Sequence, residues 1–143
     1  MATSYTPLLG LALPVQGELQ GTWGNVFNTS ITSLVDTSVA GTTTVSSDAD
    51  VVLSTTDGVA NEARQAVILC TGARSAVRNI TAPAKSKIYV VINSTTGGYA
   101  VVIRGAGPTT GITVPAGRLA IVAWNGSDFQ IIASGPDVSG GTF

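Results

Sequence analysis

Residues 87–105 read KIYVVINSTTGGYAVVIRG. Two runs rich in Val and Ile flank a small polar segment holding Gly97 and Gly98. β-branched residues favour a pleated, half-buried surface, so each run predicts a short strand and the segment between them a turn. The same alternation extends in both directions. Upstream lie TTTVS (42–46), DVVLS (50–54), QAVILC (65–70) and AVRNIT (76–81). Downstream lie GITV (111–114), RLAIVAW (118–124) and DFQIIA (128–133). Asp57-Gly58 marks a turn, and Asn125-Gly126 is the strongest hairpin signal. Nine short strands parted by Gly, Asn and Pro predict a mainly β fold, an antiparallel β-sandwich or small jelly-roll-like barrel. This β-domain is expected over 41–134, followed by a Gly-rich tail over 135–143. No internal repeat of fixed period is evident.

The chain has 143 residues, enough for one domain with a real core. Charged residues are 10% of it, against roughly 25% in an average soluble domain. Thr, Ser and Gly take their place. A net charge of −1 promotes association. Two readings follow: a quiet neutral β-domain, or a surface largely covered by copies of itself or by a partner. The first basic residue is Arg64; six acidic residues precede it, and basic residues predominate after it. The two halves suit complementary contact between subunits, although each charge can equally serve to solvate a loop. No basic cluster interleaves with aromatic residues, which excludes nucleic-acid binding by phosphate neutralisation.

Ahead of the β-domain lies GELQGTWGNVFNTSITSLVD (17–36). Trp23, Val26, Phe27, Ile31, Leu34 and Val35 follow the spacing of one buried helical stripe. A short helix is expected over 22–40, with Thr22 as N-cap and Gly41 as its stop. Its other face, Asn25, Asn28, Thr29, Thr32 and Ser33, is uncharged. Helix propensity is poor, so packing must hold it, either on its own sandwich or on a neighbour. Residues 1–21 form an extended arm punctuated by Pro7, Gly10, Pro14, Gly17 and Gly21, and regular structure is not expected there. The arm is nevertheless apolar, with Leu8, Leu9, Leu11, Leu13 and Val15. A disordered tail would be polar, so the arm is expected to dock, on its own domain or on a neighbouring subunit. PLLGLALPV (7–15) lacks the basic flank of a signal peptide, and no run approaches a membrane span of about 20 residues.

The chemical inventory is thin. The sequence contains no histidine, which removes Ser-His-Asp and Cys-His arrangements. Its one cysteine, Cys70, sits in an apolar run and reads as a small buried hydrophobe. Lys85 and Lys87 flank a strand and are expected to be solvated. Asp48 and Asp50 offer a calcium or two-carboxylate pair, or a turn in which each bonds to local amides. The turn is the expectation, because the other parts of both chemistries are missing. GAGPTTG (105–111) lacks the Lys-Ser/Thr of a phosphate cradle and reads as a connection. Trp124, Asn125 and Asp128 at a hairpin tip present an aromatic face and polar groups suited to a sugar ring, or else belong to core or interface. No enzyme activity, cofactor or metal is expected.

Two stretches carry a resemblance. GELQGTWGNVFNTSITSLVD, with its Gly-x-Trp-Gly-x-x-x-Asn centre at Gly21–Asn28, resembles the N-terminal segment of virion structural proteins of tailed bacteriophages, especially phages of cyanobacteria and marine bacteria. The later cadence YVVIN…VVIRG…TVPAG…WNGSDF is similar to β-domains of phage tail fibres and small head proteins. The resemblance implies a virion part made in the host cytoplasm. In fibres such a domain opens a longer chain, whereas this sequence ends at Phe143. The expectation is therefore a capsid decoration, or cement, protein: a homotrimer on the outer head surface that bridges major capsid protein subunits. A tail-fibre, tailspike or adaptor component is the alternative, and a carbohydrate-binding module the third. The expected interface residues are Leu9, Leu11, Leu13, Trp23, Val26, Phe27, Ile31 and Leu34. Neither nucleic acid nor membrane is an expected partner.

Overall fold

The computed structural model describes residues 3–107 and 110–132. The expected tail over 135–143 lies outside the described residues. Two short strands, β1 (Ser4–Tyr5) and β2 (Ala12–Leu13), pair antiparallel within the arm, where no regular structure was expected. A helical rod follows as α1 (Trp23–Phe27), a π-helical turn (Asn28–Thr32) and α2 (Ser33–Ala40). Then come β3 (Thr42–Val45), β4 (Val51–Val52), a 3-10 turn (Glu62–Arg64), β5 (Val67–Cys70) and β6 (Arg78–Thr81). The chain continues through β7 (Ile88–Asn93), β8 (Val101–Arg104), β9 (Ile112–Val114), β10 (Leu119–Trp124) and β11 (Phe129–Ile131). Each of the nine expected strands contains one of β3–β11.

The strands form two sheets, ordered β11-β10-β7-β5-β3 and β4-β6-β8-β9. Their inner faces share one core, so the mainly β, sandwich-like expectation holds. Strand direction departs from it. From β3 to β8 the chain alternates between the sheets, and same-sheet neighbours run parallel. A strand that crosses to the other sheet before returning arrives in its original direction, which a hairpin cannot achieve. Only the last strands reverse: β9 on β8, β10 on β7 and β11 on β10 are antiparallel.

The crossing has a fixed period that the sequence conceals. Val67 lies beside Val90, Ala73 beside Thr96 and Thr81 beside Arg104, each pair 23 residues apart. β5 with β6, and β7 with β8, are therefore two matched coils. The preceding coil is irregular, since Val45 meets Cys70 but Val51 meets Ile80. Its β3–β4 turn is four residues shorter than the one it stacks on.

Side chains replace the backbone partners lost there, as buried or ordered amides and carbonyls require. Asp48 accepts from the Ser75 amide at 3.1 Å and the Ser75 hydroxyl at 2.6 Å, and pairs with Arg78 Nε at 2.7 Å. Asp50 accepts from the Asn79 amide and the Asn79 side chain, both at 2.9 Å. The buried Arg74 donates to the carbonyls of Ser46 and Val45 at 2.9 Å. The two aspartates thus serve a turn, as expected, but they bond to amides 27 and 29 residues away rather than to local ones.

Inward residues stack in ladders: Ile68 beside Val91, Ile80 beside Ile103, and Tyr89 beside Val122. Phe129 closes the reversed end, with its ring 6.0 Å from Tyr89 and 5.5 Å from Trp124. Phe129 is fully buried. Replacing it with Ala should cost about 3–5 kcal/mol in chemical unfolding, the range for a lost core aromatic.

A second prediction concerns acid. The guanidinium of Arg78 and the Ser75 hydroxyl hold the Asp48 carboxyl well below the usual range. The Asn79 side chain and amide hold Asp50 low. A carboxylate depressed in the folded state stabilises it fully above its unfolded value, and that contribution is lost as pH falls through the folded value. Melting temperature should therefore drop below about pH 4. The drop should be shallower in the Asp48→Asn/Asp50→Asn variant, read by circular dichroism across the acid range.

Candidate interface

The helical rod is held by its own hydroxyls. Thr29 donates to Asn25 O at 2.8 Å, Ser33 to Asn28 O at 2.8 Å, Thr37 to Ser33 O at 2.7 Å and Ser38 to Leu34 O at 2.7 Å. Such back-bonding satisfies short polar side chains without charge, and it bends helices. Thr22 precedes the rod as expected, but its side chain makes no capping bond; Val26 N bonds to its carbonyl instead. Gly41 ends the rod in an extended rather than left-handed conformation. Glycine is needed there for space, because a Cβ would lie 2.5 Å from Thr37 O.

The expected buried stripe is largely outside. Of Trp23, Val26, Phe27, Ile31, Leu34 and Val35, only Leu34 is buried. Val26 and Ile31 are half-buried. Trp23 is 60% exposed and Phe27 42%, their rings stacked at 5.5 Å. The π-helical turn offers a physical reason. One extra residue in a turn moves every later side chain by about 100° around the axis, so residues before and after the turn no longer share one face. Val39, 75% exposed, adds an apolar residue that the stripe did not include. α2 packs on the Glu62–Arg64 turn, while Trp23, Phe27, Val35 and Val39 stay exposed.

The arm is fastened at one bend. Gly10 O accepts from Gly58 N at 2.7 Å, and Pro7 O accepts from Lys85 Nζ at 2.5 Å. Leu9 and Leu11 are half-buried, whereas Leu13 is exposed and Leu8 is 70% exposed. The arm therefore docks on its own domain through one face and leaves the other apolar face open.

Beneath the Pro7–Gly10 bend is a cavity of about 310 Å³, lined in part by Asp57, Arg64, Lys85, Lys87 and Tyr89. Lys87 is half-buried rather than solvated, because its ammonium donates to Gln65 O at 2.6 Å and sits 4.3 Å from the Tyr89 ring centre. Burial pulls its pKa down to about 8. Arg64 is buried and donates to Val59 O at 2.6 Å and Thr56 O at 2.7 Å. Arg64 thus holds the irregular 54–64 loop by its carbonyls, and Lys87 fixes Gln65 just after it. Burial pushes the Cys70 thiol up to about 11, as suits an inert core residue. Among the described residues no three His, Cys, Asp or Glu side chains converge as metal ligands, and no helix is long and apolar enough to cross a membrane.

The three hairpin-tip residues are each engaged. The half-buried Trp124 ring lies edge-on to Phe129 and covers Gly105, where a Cβ would come within 2.2 Å of it. Asn125 Oδ1 accepts from the Ser127 amide at 2.9 Å and the Asp128 amide at 3.0 Å. Asp128 accepts from Gly111 N at 2.7 Å and from its own neighbour Phe129 N at 2.8 Å. Burial would raise the Asp128 carboxyl, but these amides outweigh it and hold it low. The tip thus pins the β8–β9 connection.

No protein-family model matches this chain, and no curated protein or solved structure is similar to it.

Two outcomes follow from this geometry. Asp128→Ala leaves the Gly111 and Phe129 amides without acceptors and should cost about 1–3 kcal/mol of unfolding free energy. Trp23→Ala removes a solvent-facing ring and should leave the melting temperature of the β-domain within a few degrees, while sedimentation shows weakened self-association. Full retention of the wild-type oligomer would reject an interface role for this ring.

Proposed function

We propose that this protein is a non-enzymatic virion structural protein of a tailed bacteriophage, acting as a decoration protein on the outer head surface. Its partners would be copies of itself, as a homotrimer, and major capsid protein subunits. It would be made in the host cytoplasm and would work by buried area, since cross-links between neighbours raise the cost of parting them against internal pressure. The observation that carries this reading is the exposed apolar rod and arm standing beside a core that is already complete. Trp23, Phe27, Val35, Val39, Leu8 and Leu13 are all open to solvent. Exposed apolar patches of this kind mark partner surfaces. The likeness of Gly21–Asn28 to virion proteins names the kind of assembly, and the sparse charge suits a covered surface.

A tail-fibre or adaptor location is the second reading, favoured by one feature. The parallel coils leave β3 and β4 as sheet-edge strands after the helical rod, and stacked coils extend naturally along a fibre axis. A glycan-binding role has less support, because Trp124, Asn125 and Asp128 are occupied with their own hairpin and its neighbours.

Quantitative mass spectrometry of purified particles separates these readings. A copy number approaching that of the major capsid protein supports decoration. A few copies per hundred capsid subunits moves the protein to a vertex or the tail, and absence from the particle rejects both locations.

A further inference from the structure

The two sheets differ on their outer faces. On the four-stranded sheet, alternation turns Asn79, Thr81, Arg104 and Thr113 outward, together with Val52 and Val102. Polar residues predominate there, as on an exposed sheet face. The five-stranded sheet has no such covering. Register with the inward Ile68, Val91 and Val122 turns Leu69, Val90, Ile92, Leu119 and Ile121 outward together. Leu119 and Ile121 are exposed, and Leu69, Val90 and Ile92 are half-buried. Thr42 and Thr44 extend the face on β3. Among the described residues of this face there is no charge.

Strands β5 and β7 in this sheet are parallel. Parallel strands occur almost only where both faces are covered, and their sequences read as continuous apolar runs. VILC and IYVVIN are such runs. One face is covered by the core; the other awaits a layer.

We propose that the helical rod of a second copy is that layer, laid across the outer face of the five-stranded sheet with Trp23 and Phe27 against Val90 and Ile121. This rests on the self-association proposed above. Three observations select this occupant. The rod spans 18 residues, from Trp23 to Ala40, about 27 Å at 1.5 Å per residue. Five strands at about 4.8 Å spacing give a face about 19 Å across, so the rod bridges it fully. The Trp23–Phe27 end of the rod is apolar and exposed like the sheet face, and Asp36 is the rod's one charge. Finally, the rod joins the edge strand of this same sheet through Gly41, yet within the chain it packs on the Glu62–Arg64 turn. An element tethered at the edge of a sheet whose Ile88, Leu119 and Ile121 remain exposed is suited to exchange between copies. A strip of rod on the order of 300 Å², with a similar area of sheet received in return, approaches the roughly 800 Å² per partner of a stable interface.

Cross-linking tests the geometry. Cys70 is the one native thiol and is fully buried, so introduced cysteines report alone. Phe27→Cys and Ile121→Cys chains carrying different tags are made singly and co-expressed, then mildly oxidised. The expected result is a disulfide between the two variants in the mixture and little in either alone. Ile121→Cys linking to itself means that sheets meet face to face and overturns the proposal. Phe27→Cys linking to itself means that rods bundle together and overturns it too. An intact oligomer without any cross-link also overturns it, while leaving self-association standing. A monomeric wild-type protein in sedimentation overturns both. Independently, Ile121→Asp should weaken association by about tenfold or more, as expected for a central interface position, with an unchanged circular dichroism spectrum. Unaltered association in that variant counts against the proposal.

Discussion

The parallel register of β7 on β5 and of β8 on β6 is the constraint from which the rest of the molecule follows. Because each coil advances 23 residues, every inward side chain lands on an inward neighbour, and a slip of one residue would turn the whole set outward. The ladders Ile68–Val91 and Ile80–Ile103 are the direct product. The coil cannot stop by itself, since each coil presents the next edge. At one end the chain reverses, and β9, β10 and β11 close the stack antiparallel under Phe129. At the other end β3 and β4 remain as edges, kept short at four and two residues, as edge strands in natural sheets often are.

Polar side chains hold the places where the coils do not match. Asn93, fully buried, donates to Val114 O at 2.9 Å and accepts from the Thr95 amide at 3.1 Å. It occupies the coil corner next to which Cys70 stands in the coil below. Arg74, Asp48 and Asp50 do the same for the shortened first turn. Their chemistry is spent on backbone groups that a regular ladder would have satisfied, which is the ordinary fate of buried polar atoms.

All nine strands of the two sheets were legible, because β-branched runs bounded by Gly, Asn and Pro state their existence locally. Their direction was not, because a run such as VILC is equally compatible with a parallel or antiparallel neighbour. The 23-residue period hid for a related reason. Packing asks only for apolar volume at the stacked positions, so identity survives at Val67–Val90 and Ile80–Ile103 but not where Leu69 meets Ile92 and Ile68 meets Val91. At the turn the partners are Cys70 and Asn93. The helix was legible in place and extent, yet its buried stripe was not, since a π-helical turn leaves no mark in a hydrophobic pattern read at a fixed period. Lys87 is half-buried although a lysine beside a strand is normally solvated; the Tyr89 ring beside it follows from the two-residue strand period, but the Gln65 carbonyl that holds it comes from tertiary structure.

Strand composition also bears on the outer faces of the sheets. In a sandwich whose outer faces meet water, strands should alternate apolar and polar. β6, RNIT, carries polar residues at three of its four positions, whereas β5, β7 and β10 are apolar at almost every position. β8, VVIR, in the four-stranded sheet and β3, TTTV, in the five-stranded one depart from that pattern, so strand composition alone does not divide the sheets; the register does. The rod carries apolar residues on exposed positions and almost no charge. Its weak helix propensity fits the proposed packing on a partner, since most helical stability comes from packing rather than from propensity. In the proposed assembly, fold and association would occupy separate surfaces, the fold in the coil interior and the association in the outer sheet and rod. Substitutions on the second set would then change association without changing the fold.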